Sequence, residues 1–232
     1  MRRGEVAISV VIPALNEQSR IERAVVSAAG LRVERIVVDG GSSDATADAA
    51  RRAGADRVIR APAGRSRQMD AGWRDARGEV VLFLHGDTRL GEGWQAALEG
   101  ALADPAVAGG AFRLRFEEAG PGLRVIEWGV RIRSRVGRLP YGDQALFVRR
   151  RLLESAGGIA PVPIFEDLDL VRLIQRNGRL ALLPVDAWTS GRRYERNGVL
   201  RQWLRNQAAL AGYFLDLPRA RVAAWYRGRP AA

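Results

Sequence analysis

The sequence of 232 residues contains no cysteine and no lysine. The absence of cysteine excludes disulfides and thiolate-metal sites, and it fits a reducing compartment. No apolar run approaches the length of a membrane span. The first residues lack the apolar segment of a signal peptide, because Gly4 and Glu5 lead straight into a strand-like run that ends at Pro13. We therefore expect a cytoplasmic protein, soluble or bound peripherally at the inner face of the membrane.

Glycine-rich phosphate loops are also absent. The chain has neither Gly-x-Gly-x-x-Gly after a strand nor a P-loop, which argues against dinucleotide binding and ATPase chemistry. Hydrophobic residues make up 47% of the chain, enough for the core of one large domain.

Basic charge is what the sequence has in excess. All 37 basic residues are arginine, and the formal net charge is +11. Arginine binds phosphate groups through two parallel hydrogen bonds, although most of these side chains are expected on a solvated surface. The aromatic residues do not interleave with arginines in a recognisable nucleic-acid module, so we expect no nucleic-acid partner.

The C-terminal region concentrates this charge. From Arg192 onward, nine arginines accompany only two carboxylates. Five aromatic residues lie among six of these arginines: Trp203, Tyr213, Phe214, Trp225 and Tyr226 with Arg201, Arg205, Arg219, Arg221, Arg227 and Arg229. A basic amphipathic helix of this kind can lie on an anionic bilayer, and a helix packed on the domain is the favoured alternative.

Strand-like and helical patterns alternate through the first half of the chain. Strands are predicted over residues 7–12, 35–39, 56–60 and 80–84, with helices starting near Ile21, Ser43 and Ser66. This alternation predicts an α/β fold with a parallel sheet covered by helices. Later helices are predicted over 94–102, 123–136, 165–175 and 200–215, a short helix ends at Gly157, and strands are predicted over 108–116, 144–149 and 180–183. We expect one domain, residues 1–195, and a helical extension, residues 196–232, packed on it or on a membrane surface.

The fourth strand ends in a short polar turn that holds the only histidine. His85 stands two residues before Asp87, at the strand end where open α/β sheets bind ligands. Asp87 is a candidate ligand for Mg²⁺ or Mn²⁺, with phosphates and water completing the shell. His85 is a candidate second ligand that would favour Mn²⁺, and a hydrogen bond within the turn is the alternative.

Two earlier loops carry further candidates. Residues 13–17, Pro-Ala-Leu-Asn-Glu, follow the first strand and are either part of a binding site or a turn with a helix cap. Asp39 ends the second strand before a Gly-Gly-Ser-Ser-Asp segment, and its carboxylate could accept hydrogen bonds from a nucleobase. Ser43 or Asp44 could equally cap the following helix.

Two arginine pairs could bind a diphosphate. Arg65 and Arg67 precede the third helix, where guanidinium groups and the helix dipole act together. Arg192 and Arg193 follow the last strand and could neutralise a leaving diphosphate. Surface charge is the alternative for both pairs.

A cluster of three carboxylates opens the helix predicted over residues 165–175. Capping is the default interpretation for at least one of Glu166, Asp167 and Asp169. Because the helix has an apolar face, one carboxylate is expected to point into a cleft, where it could deprotonate an acceptor hydroxyl.

The order of these motifs resembles that of family-2 glycosyltransferases of the GT-A fold. The resemblance covers about residues 7 to 195 and lies in Pro-x-x-Asn-Glu, Asp-Gly-Gly-Ser-Ser-Asp, the arginine-rich loop, His-x-Asp and the later Glu-Asp. The segments Gly-Arg-Ser-Arg-Gln-Met-Asp-Ala-Gly, Leu-His-Gly-Asp-Thr, Pro-Tyr-Gly-Asp-Gln and Phe-Glu-Asp-Leu-Asp-Leu are similar to a compact bacterial subgroup often named for a role in arsenosugar biosynthesis.

The resemblance implies a Rossmann-like GT-A sheet and a site for a nucleoside-diphosphate sugar, UDP- or GDP-linked. Pro13, Ala14, Asn16 and Glu17 would then surround the base and ribose, and Asp39 would contact the base. It further implies that Arg65 and Arg67 lie beside the base or diphosphate, that Asp87 binds the metal, and that Asp167 is the general base with Glu166 nearby. The family motif Asp-x-Asp is His-x-Asp here, because His85 replaces the first aspartate.

We therefore expect a hexosyltransferase acting on a small or lipid acceptor, inverting and metal-dependent. One alternative is a nucleotidyltransferase, which usually carries a glycine-rich basic loop where this chain has Pro-Ala-Leu-Asn-Glu. The other is a non-catalytic module that binds nucleotides or an anionic membrane, motivated by the net charge.

Overall fold

A computed structural model describes residues 7–228. The expectations for the first six residues and for Arg229 lie outside this range. Within it, eight strands form one sheet in the order β3-β2-β1-β4-β7-β6-β8-β5. The strands are β1 Ile8–Ala14, β2 Val33–Asp39, β3 Arg57–Arg60, β4 Val80–Phe83, β5 Thr88–Leu90, β6 Val107–Phe116, β7 Leu146–Arg149 and β8 Arg179–Thr189.

Helices cover the sheet and extend beyond it. They are α1 Ile21–Ser27, α2 Thr46–Arg52, α3 Arg65–Asp75, α4 Trp94–Leu102, α5 Pro121–Val136, α6 Arg150–Ser155, α7 Glu166–Asn177, α8 Arg192–Asn197, α9 Val199–Phe214 and α10 Arg219–Arg227. A 3₁₀ turn, Gly142–Gln144, precedes β7. None of the helices within residues 7–228 is long and apolar enough to cross a membrane.

The sheet is mostly parallel, as predicted, and both of its faces are buried. Strands β3, β2, β1 and β4 are mutually parallel, and β7 joins β4 in the antiparallel direction. Along β1, Val10 and Ile12 pack into one core cluster with Leu98 of α4, whereas Val11 packs into the other with Trp73 of α3. Burial on both faces explains the continuous apolar runs that the sequence shows in these strands.

The first strand, predicted over residues 7–12, ends two residues later than expected. The strand continues to Ala14, because β2 pairs with β1 as far as Ala14. Strand β4 pairs with β1 only as far as Val11. Pro13 therefore lies where β2 is the one neighbouring strand, and its missing N–H breaks no ladder.

The last part of the sheet differs more from the prediction. Strand β8 runs to Thr189 instead of ending at residue 183, and it pairs with β6 through two shifts of register. Its far end pairs with β5, a strand of three residues that the sequence pattern did not predict. This pairing brings the residues after Thr189 to the same edge as the turn after β4.

Helices α9 and α10 pack on the sheet domain. Tyr213 and Val222 join Phe165 and Leu168 of the α7 region in a buried cluster, which is the packing favoured from the sequence. Trp203, Phe214 and Trp225 of the predicted basic aromatic tail remain exposed. The division at residue 195 stays a prediction, and that residue falls within α8.

Candidate active site

The carboxyl ends of β1, β2 and β4 meet at one edge of the sheet. Since these strands are parallel neighbours, the loops after Ala14, Asp39 and Phe83 emerge side by side. Most of the predicted site residues lie in these loops or in segments that reach the same edge. Open α/β sheets bind their ligands at such an edge.

The loops after β1 and β2 are joined by reciprocal hydrogen bonds. Asn16 N donates to Ser42 Oγ, and Ser43 N donates to Asn16 Oδ1, both at 2.9 Å. Asn16 adopts a left-handed conformation, with φ of 56°, that directs its amide toward the second loop. The two predicted nucleotide loops therefore form one connected wall.

Pro13 and Ala14 lie where α3 braces this wall. The buried side chain of Gln68 donates to Ala14 O and to Val38 O, both at 2.8 Å. One amide thus joins the ends of β1 and β2 directly below the loops. No role was predicted for Gln68 from the sequence, although it lies in the Gly-Arg-Ser-Arg-Gln-Met-Asp-Ala-Gly segment of the family resemblance.

Asp39 is buried and has partners within the protein. Its Oδ1 accepts hydrogen bonds from Ser42 N at 3.0 Å and from Ser42 Oγ at 2.5 Å. Its Oδ2 lies 3.8 Å from Arg60 Nε. The nearby Asp44, one residue before Ala45, accepts from Thr46 N at 3.0 Å. Ala45 is the N-cap of α2 in place of Ser43 or Asp44. Contact between Asp39 and a nucleobase stays a prediction.

Glu17, Asp87 and Arg192 meet in one cluster. Arg192 Nη2 donates to Glu17 Oε1 in a short contact and lies 3.3 Å from Asp87 Oδ2. Two carboxylates from different loops therefore converge on one cationic nitrogen. Glu17 Oε2 is buried and accepts no hydrogen bond from any residue in the range 7–228.

This cluster fits a divalent cation in its chemistry. Carboxylate oxygens are the ligands that Mg²⁺ and Mn²⁺ prefer, and Glu17 Oε2 is a buried oxygen that lacks a partner. No group of three or more His, Asp or Glu side chains within residues 7–228 is arranged to hold a metal ion. A cation here would therefore need ligands from a bound diphosphate, and it would take the place of the Arg192 guanidinium.

His85 and Asp167 line the same side of Gly142. A Cβ placed on Gly142 would lie 2.9 Å from His85 Nε2 and 3.3 Å from Asp167 Oδ2. Burial, with a smaller contribution from the positive charges of Arg65 and Arg193, lowers the pKa of His85 well below its usual range. The imidazole is thus neutral at pH 7. Its assignment as a metal ligand stays a prediction.

Backbone N–H groups fix the orientation of Asp167. Gly142 N donates to Asp167 Oδ2 and Leu168 N donates to Asp167 Oδ1, both at 2.9 Å. The second bond occupies an N–H of the first turn of α7. The N-cap of this helix is Phe165, so none of the three carboxylates caps it from that position, contrary to the capping expectation.

Glu166 and Asp169 have different partners from Asp167. Glu166 is buried and lies 3.3 Å from Arg65 Nη1, and burial raises the pKa of Glu166 although Arg65 opposes this effect. Asp169 points to the C-terminal helices, where Tyr213 Oη donates to it at 3.0 Å and Arg219 forms a two-point ion pair. Glu166 and Asp167 are thus the two that remain at the site.

An unusual backbone conformation precedes this pair. Phe165 has φ of 73°, in the left-handed region that a bulky residue rarely adopts. Its ring packs edge-to-face on Tyr213, with the ring centroids 5.0 Å apart. The packing of the C-terminal helices therefore holds the turn that aims Glu166 and Asp167.

The arginine predictions have mixed outcomes. Arg65 lies within the first turn of α3 instead of preceding the helix, and it pairs with Glu166. Arg67 and Arg193 are exposed, and neither forms an ion pair in the described part of the chain. Their contacts with a nucleotide stay predictions.

Asp143 is a site residue that the sequence analysis missed. Its Oδ1 is shielded from solvent and has no hydrogen-bond partner within residues 7–228. Burial raises the pKa of Asp143 to about 6, and the charges of Asp167 and Asp87 act in the same direction. The one signal for it was its place in the Pro-Tyr-Gly-Asp-Gln segment.

Comparison with known families agrees with this geometry. The model of the family "Glycosyl transferase family 2" matches residues 9–153, more than half of the chain. The chain belongs to glycosyl transferase family 2. This membership confirms the family resemblance drawn from the motifs, and it supports the predicted enzyme class.

Similar sequences and structures support the assignment. The chain is 30% identical over 224 residues to the pre-mycofactocin glycosyltransferase of Mycobacterium tuberculosis, in two strains. The match covers 88% of this chain and 46% of that protein, so the chain spans about half the length of the curated relatives it matches.

Two solved structures share its fold. One is the mannosyltransferase PcManGT of Pyrobaculum calidifontis in complex with GDP-Man and Mn²⁺, with a TM-score of 0.63, 20% identity, and coverage of 89% of this chain and 62% of that one. The other is glucosyl-3-phosphoglycerate synthase of Mycobacterium tuberculosis in complex with Mn²⁺, UDP and glucosyl-3-phosphoglycerate, with a TM-score of 0.60, 22% identity, and coverage of 98% and 81%. At this identity the likeness shows the GT-A fold alone.

Proposed function

We propose that this glycosyltransferase moves a sugar from a nucleoside-diphosphate sugar, UDP- or GDP-linked, to a small or lipid acceptor. The observation that carries the proposal is the position of Asp167. This carboxylate is held by two backbone N–H groups and shares the side of Gly142 with His85, next to the turn of Asp87. The donor class is further supported by GDP-Man and UDP in the complexes of the two similar structures.

The reaction is a single displacement that inverts the anomeric carbon. Asp167 accepts the proton of the acceptor hydroxyl, whose oxygen then bonds to the anomeric carbon. The bond from that carbon to the diphosphate oxygen breaks, and the diphosphate leaves with the electron pair. Arg192, assisted by Arg193, provides positive charge for the departing group.

Other residues bind the nucleoside and shield the reacting groups from water. Asn16, Glu17, Pro13 and Ala14 form the wall against which the nucleoside lies, and Asp39 lies at its base. Arg65 holds Glu166 beside Asp167 and brings positive charge to the site. Exclusion of water by these walls strengthens the interactions of the reacting charges.

Divalent-metal dependence is part of the proposal. Asp87 and Glu17 would hold Mn²⁺ or Mg²⁺ together with the diphosphate, and His85 is a further candidate ligand. The bound ion would supply a charge that stabilises the leaving group. The Mn²⁺ in both similar structures supports this assignment.

Family membership favours this reaction over the nucleotidyltransferase and the non-catalytic binding module considered from the sequence. A cytoplasmic location, at the inner face of the membrane, stays a prediction.

A panel of nucleotide sugars tests the donor class by thermal stabilisation, with and without Mn²⁺. We expect one UDP- or GDP-sugar to raise the Tm by roughly 5–10 °C at about 100 times its Kd, and to do so more strongly with Mn²⁺. The matching nucleoside monophosphate and the free sugar are the controls. If no donor raises the Tm even with metal present, the proposed function is wrong.

A further inference from the structure

Helix α5 has two apolar faces. The inner face is formed by Leu123, Ile126 and Val130, which pack with Leu114 and Phe116 of β6 in a buried cluster. This face alone accounts for the position of the helix against the sheet. A helix that carries apolar residues on its opposite side as well needs a second apolar partner.

The outer face is a stripe exposed to solvent. The exposed fractions of its four side chains are 65% for Val125, 65% for Trp128, 41% for Ile132 and 83% for Val136. Their spacing of three, four and four residues places them on one side of the helix, opposite Leu123 and Val130. Exposed apolar patches of this kind mark surfaces that bind a partner or a membrane.

Arginines flank this stripe. Arg124, Arg131 and Arg135 are exposed and lie on one side of it by helical spacing. The one carboxylate of the helix, Glu127, points inward, where it accepts hydrogen bonds from Arg115 and from Phe116 N. The outer surface of α5 therefore carries positive charge without a compensating negative group of its own.

Helix α9 adds similar side chains beside α5. Its first residue, Val199, lies 3.2 Å from a Cβ placed on Gly122, so the two helices are in contact at their N-terminal ends. Leu200, Trp203 and Leu204 of α9 are exposed. Two helices in contact thus both carry exposed apolar side chains.

We propose that the α5 face, defined as Val125, Trp128, Ile132 and Val136 with Arg124, Arg131 and Arg135, docks on the surface of an anionic lipid bilayer. An apolar stripe with a tryptophan and a flank of arginines has the chemistry of a helix lying in the membrane interface. Each arginine near such a surface is attracted to anionic lipid. A second copy of the chain is a poor partner, because it would bring two groups of three arginines together.

Helix α5 and the residues before it are joined to the active site by two contacts. Ser134 Oγ donates to Gln144 Oε1 at 3.0 Å, which joins α5 to the turn that holds Asp167. At the other end, Glu118 precedes α5 and accepts from Gly191 N, next to Arg192. Docking would therefore act on a helix that is bonded to the turn of Asp167 and to the segment of Arg192, whichever donor is used.

Vesicle flotation of the full chain tests the proposal. Vesicles of phosphatidylcholine with phosphatidylglycerol are compared with vesicles of phosphatidylcholine alone. We expect the chain to float with the anionic vesicles, to stay in the dense fraction with the neutral ones, and to be released at high salt. If the chain fails to float with anionic vesicles, the proposal is wrong.

Two variants and matched controls locate the surface. The variant Trp128→Glu/Ile132→Glu is compared with Val26→Glu/Leu31→Glu, which places the same charge on exposed apolar residues outside α5 and α9. The variant R124Q/R131Q/R135Q is compared with R52Q/R151Q/R176Q, which removes the same charge from exposed positions elsewhere.

R124Q/R131Q/R135Q should bind anionic vesicles roughly 100-fold more weakly, since each arginine contributes about fivefold. Trp128→Glu/Ile132→Glu should also bind more weakly than the wild type, because it replaces two apolar side chains with negative charges. Both controls should bind as the wild type does. Circular dichroism should show all variants folded, because the replaced side chains point to solvent. Equal losses in the variants and controls would contradict the proposal. So would a dimer in light scattering that Trp128→Glu/Ile132→Glu dissociates.

Discussion

Arg192 and Asp87 form an ion pair between residues that are 105 positions apart in the chain, with 3.3 Å between Nη2 and Oδ2. The same nitrogen contacts Glu17, so one guanidinium neutralises carboxylates from two loops. Without this cation, two negative groups would face each other at the place proposed for the diphosphate. Arg192 therefore keeps the donor site electrostatically balanced in the chain alone.

Arg192→Gln is expected to change metal binding and transfer in opposite directions. Removal of the guanidinium frees Glu17 and Asp87, so Mn²⁺ should bind more tightly in the absence of nucleotide. Transfer should slow by roughly 10²–10³-fold, because the departing diphosphate loses a positive group. Titration calorimetry with Mn²⁺ measures the first effect, and release of nucleoside diphosphate from the donor measures the second.

Arg196→Gln is the matched control, because Arg196 is an exposed arginine on the same helix. It should leave both quantities unchanged. Equal Mn²⁺ affinity of wild type and Arg192→Gln would show that the guanidinium does not compete with the metal.

Gly142→Ala should lower the turnover of a folded enzyme. The new methyl group would lie 2.9 Å from His85 Nε2 and 3.3 Å from Asp167 Oδ2, so both side chains must move. Displacement of a catalytic group by about 1 Å costs on the order of 100-fold in rate. Gly100→Ala is the control, because no atom lies within 4 Å of its new methyl group. Similar kcat values for the two variants would contradict the tight packing proposed around Gly142.

Asp143→Asn should change stability in a pH-dependent way. In the folded chain the pKa of Asp143 is raised to about 6, whereas an unfolded chain has an aspartate pKa of about 3.9. The folded state therefore binds more protons between these values, and this carboxyl destabilises the fold as pH rises from about 4 to about 6.

The free energy of unfolding of Asp143→Asn, relative to that of the wild type, should thus be greater at pH 8 than at pH 4 by about 2 kcal/mol. Urea denaturation of both proteins at the two pH values measures this difference. Subtracting the pH 4 value removes the pH-independent effect of placing an amide there. A difference that stays constant from pH 4 to pH 8 would contradict the burial of this carboxyl.

The sequence predicted the parts of the site that depend on local pattern. The strand of residues 80–84 and its polar turn lie at the sheet edge as expected, because a continuous apolar run fits a strand buried on both faces. The helix with Glu166 and Asp167 at its start was predicted within two residues at each end, since its apolar spacing is regular.

Contacts between distant segments could not be predicted. Nothing near Arg65 indicates that it pairs with Glu166, and nothing near Arg192 indicates Asp87, because tertiary packing alone brings these residues together. Strand β5 has three residues, too few for a periodic signal, and it depends on pairing with β8. The left-handed conformation of Phe165 could not be predicted either, because packing on Tyr213 stabilises a conformation that its residue type disfavours.

The central claim is that Asp167 takes the proton of the acceptor. Asp167→Asn keeps the shape of the side chain and removes its basicity. Donor affinity and release of nucleoside diphosphate, measured on the same preparation, test the claim most directly. Asp169→Asn, on the same helix but directed toward Arg219 and Tyr213, is the control. We predict that Asp167→Asn binds the donor as the wild type does and turns it over slower by roughly 10²–10⁴-fold, whereas full turnover in this variant would contradict the account.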